Sequence, residues 1–234
     1  MNLKEQVGKK AVEFIKEGMV VGLGTGSTVY YFIHELAKKI KEGLNVELVS
    51  TSVQSIELAK SLGLEVKDIE EVSCIDISVD GVDEIDKNFN AIKGGGAALF
   101  REKIVADISN HVVWIYDEKK DVGKIGAFDL PVEILPFAYN HTIKKMKDLH
   151  LNPKLRHKEG KILVTDNSNY IVDLALGEGF NIEEVKKKLS TIVGVVEDGL
   201  FINMCKHCIK AVSYTHLTLP TITTVCRSRW SPYH

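Results

Sequence analysis

The 234-residue chain reads as an α/β protein, a doubly wound and mostly parallel sheet followed by a second, smaller α+β domain. Three observations lead there. Between Met19 and about Lys120, short apolar strands alternate with helical stretches of ten or more residues. A glycine turn, GLGTGST at 22–28, joins a strand to a helix, and further polar loops end other strands. From about Ala127 the order becomes strand, helix, hairpin, helix, strand, with no long linker and no internal repeat.

The first 18 residues, MNLKEQVGKKAVEFIKEG, are charged and helically periodic, with Leu3, Val7, Ala11, Phe14 and Ile15 on one face. That pattern is not a signal peptide. A strand at 19–23 then enters the glycine turn. The helix after it carries Val29, Phe32, Ile33, Leu36 and Ile40 on one face. NVELVSTS reads as a strand, and VQSIELAKSLG as a helix ending at Gly63, a plausible C-cap. SCIDISVDGVDEID reads as a strand with acids at its carboxyl end, GGAALFREKIVADIS as a helix and HVVWIYDEKK as a strand. FDLPVEILPFAYNHTIKKMKDLH reads strand then helix, and KILVTDNSNYIVDLALG as a hairpin about a DNSN turn. NIEEVKKKLSTIVGV is a helix with Asn181 as N-cap and Glu184 three residues on. A last strand spans 194–201. This gives a Rossmann-like domain over 1–126, a small α+β domain over 127–202 and a tail over 203–234.

Composition narrows the function. The chain is 44% hydrophobic and 26% charged, enough apolar material for a packed core. A net charge of −2 gives no general attraction to nucleic acid or acidic membranes. No apolar run nears the roughly 20 residues that span a bilayer, and the chain reads as cytoplasmic. Four cysteines, three of them at Cys205, Cys208 and Cys226, make no disulfide framework for this length.

In α/β sheets ligands sit beyond the carboxyl ends of the strands. Three loops fall there: 24–28, 80–84 and 117–120. The loop after Lys93 can face the same crevice. At 22–28 the glycines allow close backbone approach, and the helix start attracts an anion beside Ser27 and Thr28. A capped tight turn is the plainer reading. A dinucleotide site is the rival, with Glu47 about 20 residues on, although the spacing is G-x-G-x-G. The Walker A pattern is absent.

In DGVDEID, Asp80 and Asp83 end an apolar strand, and Gly81 lets both carboxylates face the crevice. A solvated Asx turn or a divalent metal site also fits. KGGGAALFREK supplies Lys93, a glycine loop and Glu102, two helical turns beyond Gly95, with the small Ala98 at i−4. A carboxylate there, near a lysine, suits a general base with an electrostatic partner; a surface ion pair with Arg101 or Lys103 is the alternative. DEKKD at 117–121 offers Lys119 or Lys120 to a phosphate, or is a solvated charge run. CKHC at 205–208 is half a zinc or redox motif.

GTGSTVYYFI, DGVDEID, IKGGGAALFREKIVA, LPVEILPFA and VTDNSNYIVD occur in this order. Together they closely resemble the type A ribose-5-phosphate isomerases, from about Leu3 to Phe201. The resemblance implies an aldose–ketose isomerase of the non-oxidative pentose phosphate pathway. Such an enzyme interconverts ribose 5-phosphate and ribulose 5-phosphate without cofactor or metal. It implies Glu102 as general base, Asp80 and Asp83 on the sugar for ring opening and proton shuttling, and Lys93 stabilising the enediolate. Thr25, Gly26, Ser27 and Thr28 then bind the phosphate. Gly81, Val82, Gly94, Gly95, Gly96 and Lys120 belong to the substrate site, and Lys4 matches a phosphate-binding lysine. The implied partner is a small sugar phosphate, with no nucleic acid or membrane, and the implied assembly is a homodimer or homotetramer. The tail departs from the pattern. It has no Asp or Glu from Gly199 onward, and SYTHLTLPT resembles translated sequencing-adapter sequence. Residues from about Asn203 therefore read as foreign to the family, with its final apolar strand missing.

Overall fold

A computed structural model describes residues 3–205 and 207–211. Along the chain run α1 (Leu3–Val12), β1 (Val20–Leu23), α2 (Ser27–Lys41), β2 (Glu47–Ser50), α3 (Val53–Ser61), β3 (Ile75–Gly81), β4 (Glu84–Ile85), β5 (Ala91–Ile92), α4 (Leu99–Asp107) and β6 (Ser109–Asp117). There follow β7 (Leu130–Ile134), α5 (Tyr139–Asp148), β8 (Pro153–Leu155), β9 (His157–Lys158), β10 (Lys161–Ile162), β11 (Tyr170–Leu174), α6 (Ile182–Ser190), β12 (Val195–Asp198), β13 (Leu200–Phe201) and β14 (His207–Ala211).

The larger sheet is parallel throughout, in the order β14-β6-β3-β1-β2. On one face, α1 and α2 pack Val7, Ala11, Phe32, Ile33 and Leu36 against Val21, Val79 and Ile115. On the other, α4 brings Ala106 to Val112 and Trp114, and Val105 to Val49 and Ile75. The chain runs outward from β1 to β2, then returns to the far side of β1 as β3. That reversal opens a crevice at the carboxyl ends of β1 and β3, where Gly24 and Gly81 lie.

The smaller sheet is antiparallel, β12-β7-β11-β8. Leu130, Val132 and Ile134 of β7 meet Met146, Val172, Leu174, Val185 and Leu189 in its core. A three-stranded ribbon, β13-β5-β4, carries residues 91–92 beside 200–201. The helix ends follow their sequence signals. Asn181 accepts the Glu184 N–H, and Gly63 follows α3 at φ +80°.

Several expectations are corrected. The strand expected from 194 to 201 is two strands, because the chain leaves one sheet for the ribbon at Gly199; β12 pairs with β7, β13 with β5. Residues 161–162 do not extend a hairpin with β11. They pair with β9 around Glu159 and Gly160, both at positive φ, a tight two-residue turn that captures them first. Only the Val164–Tyr170 bridge remains of the expected hairpin. The helix bearing Glu102 starts at Leu99, because Gly94 and Ala97 turn left-handed before it. The two-turn argument from Gly95 therefore does not hold. The chain also does not leave the fold at Asn203: β14 pairs in parallel with β6 over five residues, Cys208 and Ile209 buried, as the apolar CIKAV run allows. The tail from Val212 onward lies outside the described residues. Among those residues no helix is long and apolar enough to cross a membrane.

Candidate active site

Asp80 sits at the carboxyl end of β3, buried. Its Oδ1 accepts the N–H groups of Thr25 (3.0 Å) and Gly81 (2.7 Å). Three neighbours thus fix one carboxylate, because Oδ2 also lies 2.9 Å from Lys93 Nζ. Only glycine fits opposite. A Cβ on Gly24 would come within 2.2 Å of Asp80 Cγ.

Lys93 follows β5 and is buried. Its N–H donates to Gly199 O (2.9 Å), and its Nζ donates to Gly81 O (2.8 Å). The ammonium also lies 3.0 Å from Glu102 Oε2 and 5.2 Å from the centre of the Phe201 ring. Burial alone would drive its charge off. The carboxylates of Asp80 and Glu102 outweigh that and hold the ammonium above its ordinary range. Glu102, in the first turn of α4, is pushed the other way. Burial, then the negative charge of Asp80, raise it to about 8 despite the attraction of Lys93. The cluster therefore carries a carboxyl able to hold or release a proton near neutral pH beside a permanent cation. The surface pairing considered for Glu102 is not formed. Arg101 instead reaches Asn167 Oδ1 (2.7 Å), and Lys103 reaches Glu197 and Asp198.

Asp83 is held by the glycine loop, its Oδ2 accepting the Gly95 N–H at 2.7 Å. A Cβ on Gly95 would lie 2.6 Å from Asp83 Oδ1. The loop is gripped from the smaller sheet, where Arg156 donates to Gly94 O (2.7 Å) while paired with Asp173. Sequence reading missed Arg156, because only the fold brings positions 94 and 156 together.

Asp83, Lys93 and Glu102 open into a cavity of about 150 Å³, walled by Gly81, Val82, Gly94 and Gly96. Its other end is Thr25, Gly26, Ser27 and Thr28, with Lys4 and Lys120. Lys4 Nζ donates to Ser27 Oγ at 2.7 Å. The first N–H groups of α2 have no partner within the helix and face an anion's position. Thr25 differs from the rest of its loop: its N–H goes to Asp80, and its hydroxyl meets Thr51 (2.8 Å) and Ser52 (2.7 Å). It ties the loop to the acid cluster. Asp80 lies behind Lys93 and Gly95 behind Asp83. Tyr116 and Asp117, not singled out from the sequence, also line the cavity.

Other residues resolve as structural. Glu84 is buried and accepts the N–H groups of Gly126 (2.7 Å) and Phe128 (2.8 Å). Glu133, fully buried in β7, gathers Thr165, Asn167 and Asn169 on one oxygen. Glu47 begins β2, at the opposite end of the strand from the crevice, and pairs with Lys67, so the dinucleotide reading fails. Cys205 and Cys208 are free thiols with Sγ atoms 3.3 Å apart. Among the described residues no group of three His, Cys, Asp or Glu side chains is arranged to hold a metal.

A carboxyl of raised proton affinity beside a buried ammonium, at one end of a pocket with a helix start and two lysines at the other, suits chemistry on a small anionic molecule. Comparison with known proteins gives the class as an isomerase. Residues 47–214 match the family of ribose 5-phosphate isomerase A (phosphoriboisomerase A). Ribose-5-phosphate isomerase A of Streptococcus gordonii is 48% identical over 204 residues, 87% of this chain and 91% of that protein. The solved ribose 5-phosphate isomerase from Plasmodium falciparum superposes with a TM-score of 0.88 at 36% identity, over 93% of this chain and 97% of that one. A solved D-ribose-5-phosphate isomerase in complex with phospho-erythronic acid gives 0.88 at 34%, over 94% and 99%. The chain belongs to the ribose 5-phosphate isomerase A family. The family match runs through β14.

Proposed function

We propose that the crevice interconverts D-ribose 5-phosphate and D-ribulose 5-phosphate through an enediol(ate), in the non-oxidative pentose phosphate pathway. A C–H beside a carbonyl is a weak acid. Its removal needs a positioned base and a cation or donors at the carbonyl oxygen. Glu102 is the base, taking the proton from C2 and returning it at C1. Lys93 offsets the negative charge that develops on the oxygen. Asp80 holds Lys93 in place, and Asp83, beside the glycine loop, meets the sugar hydroxyls for ring opening and proton shuttling. Gly26, Ser27 and Thr28 with Lys120 and Lys4 anchor the phosphate away from the chemistry, which fixes the reacting carbons against Glu102. The reaction needs no cofactor, since proton transfer alone balances it.

The observation that carries this reading is the buried triad, with Lys93 Nζ 2.9 Å from Asp80 and 3.0 Å from Glu102 at the closed end of the pocket. A relative solved with phospho-erythronic acid supports it, since that ligand pairs a phosphate with an acid group at the far end of a short carbon chain. The test is a ribose 5-phosphate to ribulose 5-phosphate assay with the Glu102→Gln variant. Loss of turnover by about 10²–10⁴-fold with substrate still bound is expected; near-normal turnover would refute Glu102 as base. We infer further that the chain assembles as a homodimer or homotetramer in the cytoplasm. Support comes from Leu135, Phe137 and Val193, exposed apolar side chains grouped where the Leu135 N–H donates to Gly194 O. Light scattering behind a sizing column checks it; a monomer at micromolar concentration refutes it.

A further inference from the structure

A second, smaller cavity lies behind the carboxyl of Glu102, away from the crevice. Its walls follow from strand register. Ser78 of β3 pairs with Val112 of β6, and Asp80 with Trp114, so all four side chains stand on one face of the parallel sheet. On that face α4 lays Glu102, Val105 and Ala106, one helical turn apart. These side chains, with Lys93 and Thr51, enclose about 10 Å³ of space for the centre of a water-sized sphere, and every one of them is buried.

Three polar atoms on this wall have no hydrogen-bond partner among the described residues: Ser78 Oγ, Trp114 Nε1 and Glu102 Oε2. Lys93 touches Glu102 Oε2 as an ion pair, without a hydrogen bond's alignment. An orphaned buried polar atom is costly, and two orphans beside a carboxyl oxygen met only by an ion pair ask for a common partner. The indole N–H only donates, the charged form of Glu102 only accepts, and the hydroxyl does either. The partner must therefore accept one bond and donate at least one. A metal cation fails against the indole N–H and the Lys93 ammonium. A water needs about this much room and two to four polar partners.

We propose that this cavity binds one resident water, which joins Ser78 and Trp114 to Glu102 Oε2 and sets the orientation and proton affinity of that carboxyl from behind. Ser78 and Trp114 are thus positioning residues for Glu102. The water donates to the carboxylate and so favours its charged form, against the burial and the negative charges of Asp80 and Asp83 that disfavour it. Lys93 acts in the same direction as the water, from the crevice side.

Two measurements test the proposal. The chain has two tryptophans, Trp114 and Trp230, so two indole N–H signals are expected from the 15N-labelled full chain, and Trp114→Phe identifies one of them. The Trp114 indole proton is expected to show a cross-relaxation peak with the sign of a long-lived water. Its absence in a folded sample overturns the water site. The second measurement is the pH profile of kcat/KM. Ser78→Ala and Trp114→Phe should each move the acid limb upward by about 0.3–1 unit, a roughly 2–10-fold loss below the limb with the alkaline plateau kept. A purely structural role would lower the plateau and leave the limb in place, and that result overturns the tuning. Ser78→Ala removes a single oxygen, so it decides the matter if Trp114→Phe does not fold. The limb measurement rests on Glu102 as base; the indole peak does not, so the two readings fail separately.

Discussion

At the closed end of the crevice, Asp80, Lys93 and Glu102 are each under a tenth exposed, and each is fixed by a strand end, a helix turn or a backbone partner. At the mouth, Gly26 and Ser27 are exposed and Thr28 and Lys120 half-buried, presenting backbone N–H groups, hydroxyls and an ammonium at the edge of solvent. On the proposed function, the difference follows from what each end must do. Moving a proton needs groups whose charges are out of balance and whose positions do not relax, and low dielectric supplies both. Holding a phosphate needs only a sum of modest attractions, which water weakens without abolishing. One link joins the two: Thr25 gives its N–H to Asp80, donates its hydroxyl to Ser52 and shares a hydrogen bond with the Thr51 hydroxyl.

The sharpest way to break this contrast is to remove a charge from the closed end. Lys93→Met leaves two buried carboxyls facing each other, so a stability loss of about 3–5 kcal/mol in urea titrations is expected. A fall in kcat on the order of 10²–10³ should accompany it. Next come the two glycines that flank Thr25. Gly24→Ala drives a methyl into Asp80, whereas a Cβ on Gly26 meets nothing within 4 Å and suffers only from φ +109°. Gly24→Ala should cost about 1–3 kcal/mol and lower kcat. Gly26→Ala should act through KM, with kcat within a few fold. Equal effects on kcat would erase the distinction between the ends.

Proton affinity separates the ends next. Glu102 must be charged to accept a proton, so kcat/KM should rise with pH to a plateau through the region of about 8. Stability should run the other way. A carboxyl raised in the fold binds its proton more tightly there than in the unfolded chain. Its contribution is therefore full at pH values below the ordinary carboxylate range and is lost as pH climbs to about 8. Glu102→Gln should flatten that part of a melting-temperature profile. The smallest effects belong to the mouth. Lys120→Ala should raise KM roughly 3–30-fold at low salt with kcat nearly kept, the difference shrinking as salt is added. Ser27→Ala should raise it only about 2–5-fold, the worth of one neutral hydrogen bond.

Much of this was legible in the sequence because strand ends announce themselves. GLGTGST, DGVDEID and KGGG each break an apolar run, and three of the four site loops follow from that alone. Lys93 and Glu102 were visible as residue types and as a pair, but the helix geometry used to join them was not, since it depends on where α4 begins. What stayed hidden depends on contacts distant in sequence. Glu84 and Glu133 look like surface acids in any local window and are buried by β7 and its neighbours. Arg156 reaches the glycine loop across 62 positions. Ser78 and Trp114 meet only because β3 and β6 pair in one register. β14 was misjudged because unusual residues around CKHC outweighed a short apolar run that edge pairing could still use.

Gly199 gives its N–H to Pro131 O (2.8 Å) and its carbonyl to the Lys93 N–H (2.9 Å), and a Cβ there would lie 2.3 Å from Lys93 O. Lys93 is thus held by a segment that enters from the smaller sheet and continues into β14 of the larger one. A fragment ending before β7 would own every residue that lines the pocket and still lack Gly199, the backbone partner of Lys93. The halves of this enzyme are interlocked, not modular: the backbone at Lys93 is complete only when residues from beyond β12 have folded against it.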